Sequence, residues 1–154
     1  MARQASLLSI FVAGIVAGVV SALVQIGLWA LFTDALPAIL FRDARLTAAI
    51  ALGPSVLRLA DPFDARVLLV ATVIHFALSI VFGAALFLLI GRCSTPRALA
   101  VGAGFGAGLY VLDLHLMTFI FPWFAVSRGA ITFAAHLAFG MSAAAVLVRT
   151  CRSP

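Results

Sequence analysis

No lysine and no glutamate occur in this chain: all ten cations are arginines and all five anions are aspartates. Charged residues make up 10% of the sequence, against about 25% in soluble domains. Hydrophobic residues make up 65%, and the mean hydropathy is +1.24. A small soluble fold leaves about a third of its unfolded surface exposed, and this chain has too few polar side chains to cover that area. A water-soluble fold is excluded, and lipid is the solvent for most of the surface. Neither a Ser-His-Asp arrangement nor an HExxH spacing is present, so no enzyme is expected. The glycine-rich VGAGFGAG follows no strand, which excludes a dinucleotide fingerprint.

Long apolar runs occupy 7–32, 67–91, 98–121 and 130–148. About twenty residues rising 1.5 Å each cross a hydrocarbon core of about 30 Å. Backbone groups in lipid must be satisfied within their own segment, which makes these runs helices. The short connections 92–97 and 122–129 force antiparallel neighbours. The expectation is an all-α polytopic membrane protein, one domain over 1–154, built as an antiparallel bundle of four transmembrane helices with an interfacial loop over 33–66. Val20-Ser21-Ala22 has the small residues of a signal cleavage site, but the apolar run continues to Phe32, too long for a signal peptide. The first helix is therefore expected to be retained.

Helix parity places Arg3, Arg92, Arg97, Arg149 and Arg152 on one side. Arg42, Arg45, Arg58, Arg66 and Arg128 fall on the other, most of them among the aspartates of the long first loop. Short loops and helix ends carry the positive-inside signal, so both termini are expected in the cytoplasm of a bacterial inner-membrane protein. The arginines then anchor helix ends at anionic lipid, and nucleic acid is not expected as a partner. Cys93 and Cys151 share the cytoplasmic side, where thiols stay reduced, and no role is assigned to them.

Within the first loop, Asp43 is expected to cap a short helix over 44–52 that ends at Gly53-Pro54. Leu46, Ala49 and Ile50 give it an apolar stripe, so it is expected in the headgroup plane. Trp29, Phe32, Phe41, Phe63, Phe121, Trp123 and Phe124 crowd the same side, as an aromatic belt does.

Small residues recur at four-residue spacing: Gly14 and Gly18 in the first helix, Ser79 and Gly83 in the second, Gly140 and Ala144 in the fourth. The third contains Gly102 with Gly106, and Gly104 with Gly108. Without a hydrophobic effect between helices in lipid, such faces permit the close backbone approach that holds a bundle together. The first and third helices are expected to meet through these glycines.

Above that glycine-rich half, polar groups from all four helices reach one depth. Gln25, His75, Asp113, His115 and His136 lie about 9–12 Å below one surface at 1.5 Å per residue. Ionisable side chains inside a membrane face the bundle interior and pair with one another. Asp113 and His115 are two residues apart and point to opposite sides of a helix, so Asp113 is expected inward. Gln25, His75, Asp113 and His136 are then expected to bond with one another as a polar layer and possible ligand site. Zinc needs three or four converging ligands, and the third helix supplies one cleanly, so neither metal nor cofactor is expected.

GIVAGVVSALVQIGLW, HFALSIVFGAAL, FPWF and AAHLAFGMSAAAV together resemble the YagU-type family of small bacterial inner-membrane proteins. The resemblance covers the first, second and fourth helices well and the third loosely. It implies a polytopic inner-membrane protein with matching histidines at His75 and His136. The family pattern has a basic residue where this chain has Gln25, and a longer, proline-rich first loop where this chain keeps Pro37, Pro54 and Pro62.

Three functional readings remain open. In the first, the polar layer fixes helix register, and the protein is a non-enzymatic interaction or accessory subunit that meets a membrane-protein partner or a second copy of itself. In the second, the layer is a ligand or proton site of a small carrier or pH-responsive protein. In the third, His75 and His136 are axial ligands of a b-type haem.

Overall fold

The computed structural model describes residues 7–58, 63–90 and 94–152, with the side chains of 151 and 152 outside the described set. The expectations for Arg3, Asp61, Pro62, Gly91, Arg92, Cys93, Cys151 and Arg152 fall outside it. Among the described residues every regular element is helical: α1 (Leu7–Phe32), α2 (Ala38–Leu52), α3 (Ala65–Ile90), α4 (Thr95–Val111) and α5 (Ala130–Arg152), with short 3-10 and π turns between them. Four helices are long and apolar enough to cross a membrane: Leu7–Phe32, Ala65–Ile90, Thr95–Phe119 and Ala130–Thr150.

Local chemistry sets several ends. Asp64 Oδ1 accepts from the backbone N–H groups of Arg66 (2.8 Å) and Val67 (3.1 Å), which starts α3. Pro96 stands in the first turn of α4, where a missing N–H costs nothing. Gly53, at φ +82°, closes α2 and donates to Ala49 O at 3.0 Å, a backbone conformation that glycine adopts without a Cβ penalty.

Two expected elements differ. The short helix of the first loop begins at Ala38, directly after Pro37, because proline fixes a helix-compatible φ and needs no backbone partner. Asp43 is therefore internal to α2 and caps nothing. The third apolar run is not one α-helix to 121. Its α geometry stops at Val111, continues as a π turn over Leu112–Leu116, and tightens to 3-10 over Met117–Phe119. Arg128 Nε donates to Leu114 O at 2.7 Å, and Arg128 Nη2 to Thr118 Oγ1 at 3.0 Å. One arginine thus satisfies groups at the irregular end of this span.

α5 is the central helix, packed along α1 on one side and α4 on the other; α1 also packs on α3, and α2 on α3. Ala13, Ala17, Leu86, Ile90, Ala98, Leu109, Phe139, Ala143, Ala144 and Leu147 form one buried cluster where these helices converge. A Cβ added at Gly102 would meet Gly140 O and lie 2.8 Å from the Ala144 Cβ, while one at Gly106 would meet His136 O. α4 and α5 therefore run antiparallel with backbones in contact. The α1–α3 crossing repeats the device: a Cβ at Gly14 would fall 2.6 Å from Ile80 Cα, and one at Gly83 3.2 Å from Gly14 Cα.

This pairing corrects the expected glycine contact between the first and third apolar helices. Gly14 and Gly18 serve α3, and Gly102 and Gly106 serve α5. Gly104 and Gly108 have nothing within 4 Å of an added Cβ, so half of the glycine run faces away from the chain. Four-residue spacing identifies a face of a helix but not the neighbour it meets.

Candidate functional site

The expected polar layer is not one network; its members divide among separate contacts. His75 Nε2 lies 3.1 Å from Gly18 O. A carbonyl only accepts, so Nε2 carries the hydrogen. A Cβ at Gly18 would stand 2.8 Å from Ser79 Oγ and 3.1 Å from the Phe76 ring, so the bare glycine lets α3 approach α1 at this level. Ser79 Oγ in turn donates to His75 O at 2.7 Å. His75 thus joins α3 to the backbone of α1. His75→Phe is expected to cost about 1 kcal/mol, the net worth of one hydrogen bond, and to leave His136 unchanged in histidine-resolved NMR spectra. Coupled changes at both histidines would restore the single-layer arrangement.

Gln25 turns toward the first loop. Its Nε2 donates to Asp43 Oδ2 at 3.5 Å. Asp43 Oδ1 accepts from Arg42 Nε (2.9 Å), Arg42 Nη2 (2.7 Å) and Ser127 Oγ (3.2 Å). One carboxylate, its side chain 19% exposed, therefore gathers α1, α2 and the 3-10 turn Pro122–Ser127. Burial raises the Asp43 carboxyl above its ordinary value, outweighing the opposing effects of Arg42 and Ser127. Trp123 Nε1 reinforces the junction by donating to Leu46 O at 3.0 Å, and Leu46, Ala48 and Ala49 are buried. The aromatic residues of this side also pack on one another: Phe41 on Phe63, and Phe121, Trp123 and Phe124 in a chain. Trp29, expected in a lipid-facing belt, is buried.

The remaining pair joins α4 to α5. Asp113, in the π turn, places Oδ2 3.5 Å from His136 Nε2, with side chains 31% and 19% exposed respectively. His136 Nδ1 lies 2.7 Å from Thr132 O. Side chains lean toward the N-terminus of their own helix, so across an antiparallel pair these two lean toward each other. The Tyr110 ring packs edge-on to His136, Phe133 and His115, with centroids 5.7, 5.2 and 5.6 Å away. Its hydroxyl accepts from the Gly129 backbone N–H at 3.1 Å. His115 itself is exposed.

Matched depth did not bring all four groups together because depth says nothing of azimuth. His75 and Gln25 face different neighbours from α5. The histidine nitrogens that would address a shared haem iron face Gly18 O and Asp113 Oδ2 instead. Among the described residues, no three His, Cys, Asp or Glu side chains are grouped to hold a metal ion. Reasoning from sequence missed Asp43 as a junction, together with Ser127, Arg128, Thr132 and Tyr110. Tyr110 carried a signal, as the sole tyrosine and set within an apolar run. Comparison with family models, with curated proteins and with solved structures yields no match.

Proposed function

We propose that the chain is a non-enzymatic, multi-pass protein of the bacterial inner membrane that acts as an interaction or accessory subunit of a membrane assembly. Both termini lie in the cytoplasm, and α2 with its aromatic neighbours lies at the opposite surface as an interfacial cover. The arginines of the short connections support that orientation, and the resemblance of the α1, α3 and α5 segments to the YagU-type family supports the compartment.

The observation that carries the accessory role is the division of the glycine run. Gly102 and Gly106 are consumed by α5, whereas Gly104 and Gly108 present a second small-xxx-small face with open space over it. In lipid such a face gains little from contact with acyl chains and gains van der Waals packing and close approach from another helix. The occupant is a helix of a partner subunit or of a second copy. The joined double substitution Gly104→Leu/Gly108→Leu should leave the isolated bundle as heat-stable as the parent. It should also convert a larger complex, extracted in mild detergent and sized on a native gel, to the free chain. A complex of unchanged size would remove the basis for this role.

A further inference from the structure

We propose that Asp113 and His136 form a proton-binding site whose single proton makes the contact between the irregular end of α4 and α5 attractive. Thr132 O can only accept, so His136 Nδ1 carries a hydrogen at 2.7 Å from it. In the neutral ring Nε2 is then a bare acceptor, and it faces Asp113 Oδ2 at 3.5 Å. An ionised carboxylate also offers only lone pairs. The contact is attractive when one proton resides on Nε2, giving imidazolium and carboxylate, or on the carboxyl, giving neutral acid and neutral ring. With no proton, two acceptors face each other and the contact is lost.

The setting suits a site that responds. Asp113 belongs to the π turn Leu112–Leu116, and π turns within helices concentrate at functional positions. Arg128 braces that turn through Leu114 O and Thr118 Oγ1, so its cation lies at the same end of α4. Tyr110 packs against His136 and His115. From α1, which covers another side of α5, no titratable side chain is available over Leu7–Phe32. α3 contributes His75, tied to Gly18 O, and Arg66 at its start; Arg97 and Arg149 stand at the opposite ends of α4 and α5. The pair is a carboxyl–imidazole contact across the α4–α5 interface, and gain or loss of its proton makes or releases that contact.

The test uses the full chain, with ¹⁵N-labelled histidine, in nanodiscs of phosphatidylethanolamine and phosphatidylglycerol. His136 is assigned by its absence in His136→Gln, and its ring nitrogens are followed across pH. Nδ1 should stay protonated throughout while Nε2 titrates, the reverse of the tautomer that free histidine favours. Asp113→Asn should displace the pH at which Nε2 titrates, and His75→Gln should leave it in place. A neutral His136 protonated on Nε2 overturns the proposal, as does a midpoint indifferent to Asp113→Asn. Should Asp113→Asn fail to fold, Asp113→Ser takes its place in the same comparison.

Discussion

Gly106→Leu should be the most damaging single substitution in the protein. A Cβ at this position would meet His136 O, stand 2.8 Å from the His136 carbonyl carbon and 3.1 Å from Leu137 Cα. These are backbone atoms and cannot swing aside as the tip of a flexible side chain would. Overpacking in dense cores costs about 1–3 kcal/mol, and a backbone-on-backbone contact belongs at the upper end, about 3 kcal/mol. Gly140→Leu should behave alike, because a Cβ there would meet Gly102 O. Two residues away, Gly104→Leu should change the stability of the isolated chain by less than about 0.5 kcal/mol, since nothing lies within 4 Å of its added Cβ. Reversible unfolding in mixed micelles of increasing sodium dodecyl sulfate fraction separates the two outcomes. Equal losses for Gly104→Leu and Gly106→Leu would mean that α4 packs through both faces, contrary to the register described.

Asp43→Ala should cost about 2 kcal/mol. It removes the acceptor shared by Arg42, Ser127 and Gln25 and leaves the buried Ser127 hydroxyl unpaired, a loss of about 1–3 kcal/mol. Asp43→Asn keeps one acceptor oxygen and should be nearly neutral. The two variants also differ in pH dependence. Burial holds the Asp43 carboxyl above its ordinary 3.8, so the folded chain keeps this proton to higher pH than the unfolded chain does. The contribution of Asp43 to stability is therefore greatest below 3.8 and falls as pH rises through the raised value. Asp43→Asn lacks that slope. Its stability measured against the parent should improve as pH rises from the acid range to neutrality. A constant difference across that range would show that Arg42 and Ser127 cancel the cost of burial.

Those two predictions concern features with very different visibility in the sequence. Bilayer thickness imposes a one-dimensional constraint on helix length, and α1 occupies 7–32 as the apolar run does. α3 begins at Ala65, two residues before its run, because Asp64 caps it. The break in the third span at Val111 left no mark in hydropathy, since α and π turns both satisfy the backbone internally. The groups that contact the broken segment, His136 and Arg128, come from elsewhere in the chain. Gly106 was legible as a close-approach position, but its partner was not. Periodicity fixes an angle around one helix and is silent on which of the other helices stands there. Gln25, His75, Asp113 and His136 were placed at one depth by counting residues, yet their contacts depend on that same missing angle. Asp43 was misjudged because capping is a local rule and the decisive partners, Gln25 and Ser127, lie 18 and 84 residues away.

The proposed topology has four spans with the Asp43 junction at the surface opposite the termini. Single-cysteine reporters in a chain with Cys93 and Cys151 replaced by serine test that directly. Ser55, Ser94 and Thr150 are exposed positions after α2, before α4 and near the end of α5. In intact cells a membrane-impermeant maleimide should label Ser55→Cys after the outer membrane is permeabilised, and should reach Ser94→Cys and Thr150→Cys only once the inner membrane is opened. Labelling of Ser94→Cys or Thr150→Cys with the inner membrane sealed, or protection of Ser55→Cys, would contradict the proposed four-span orientation.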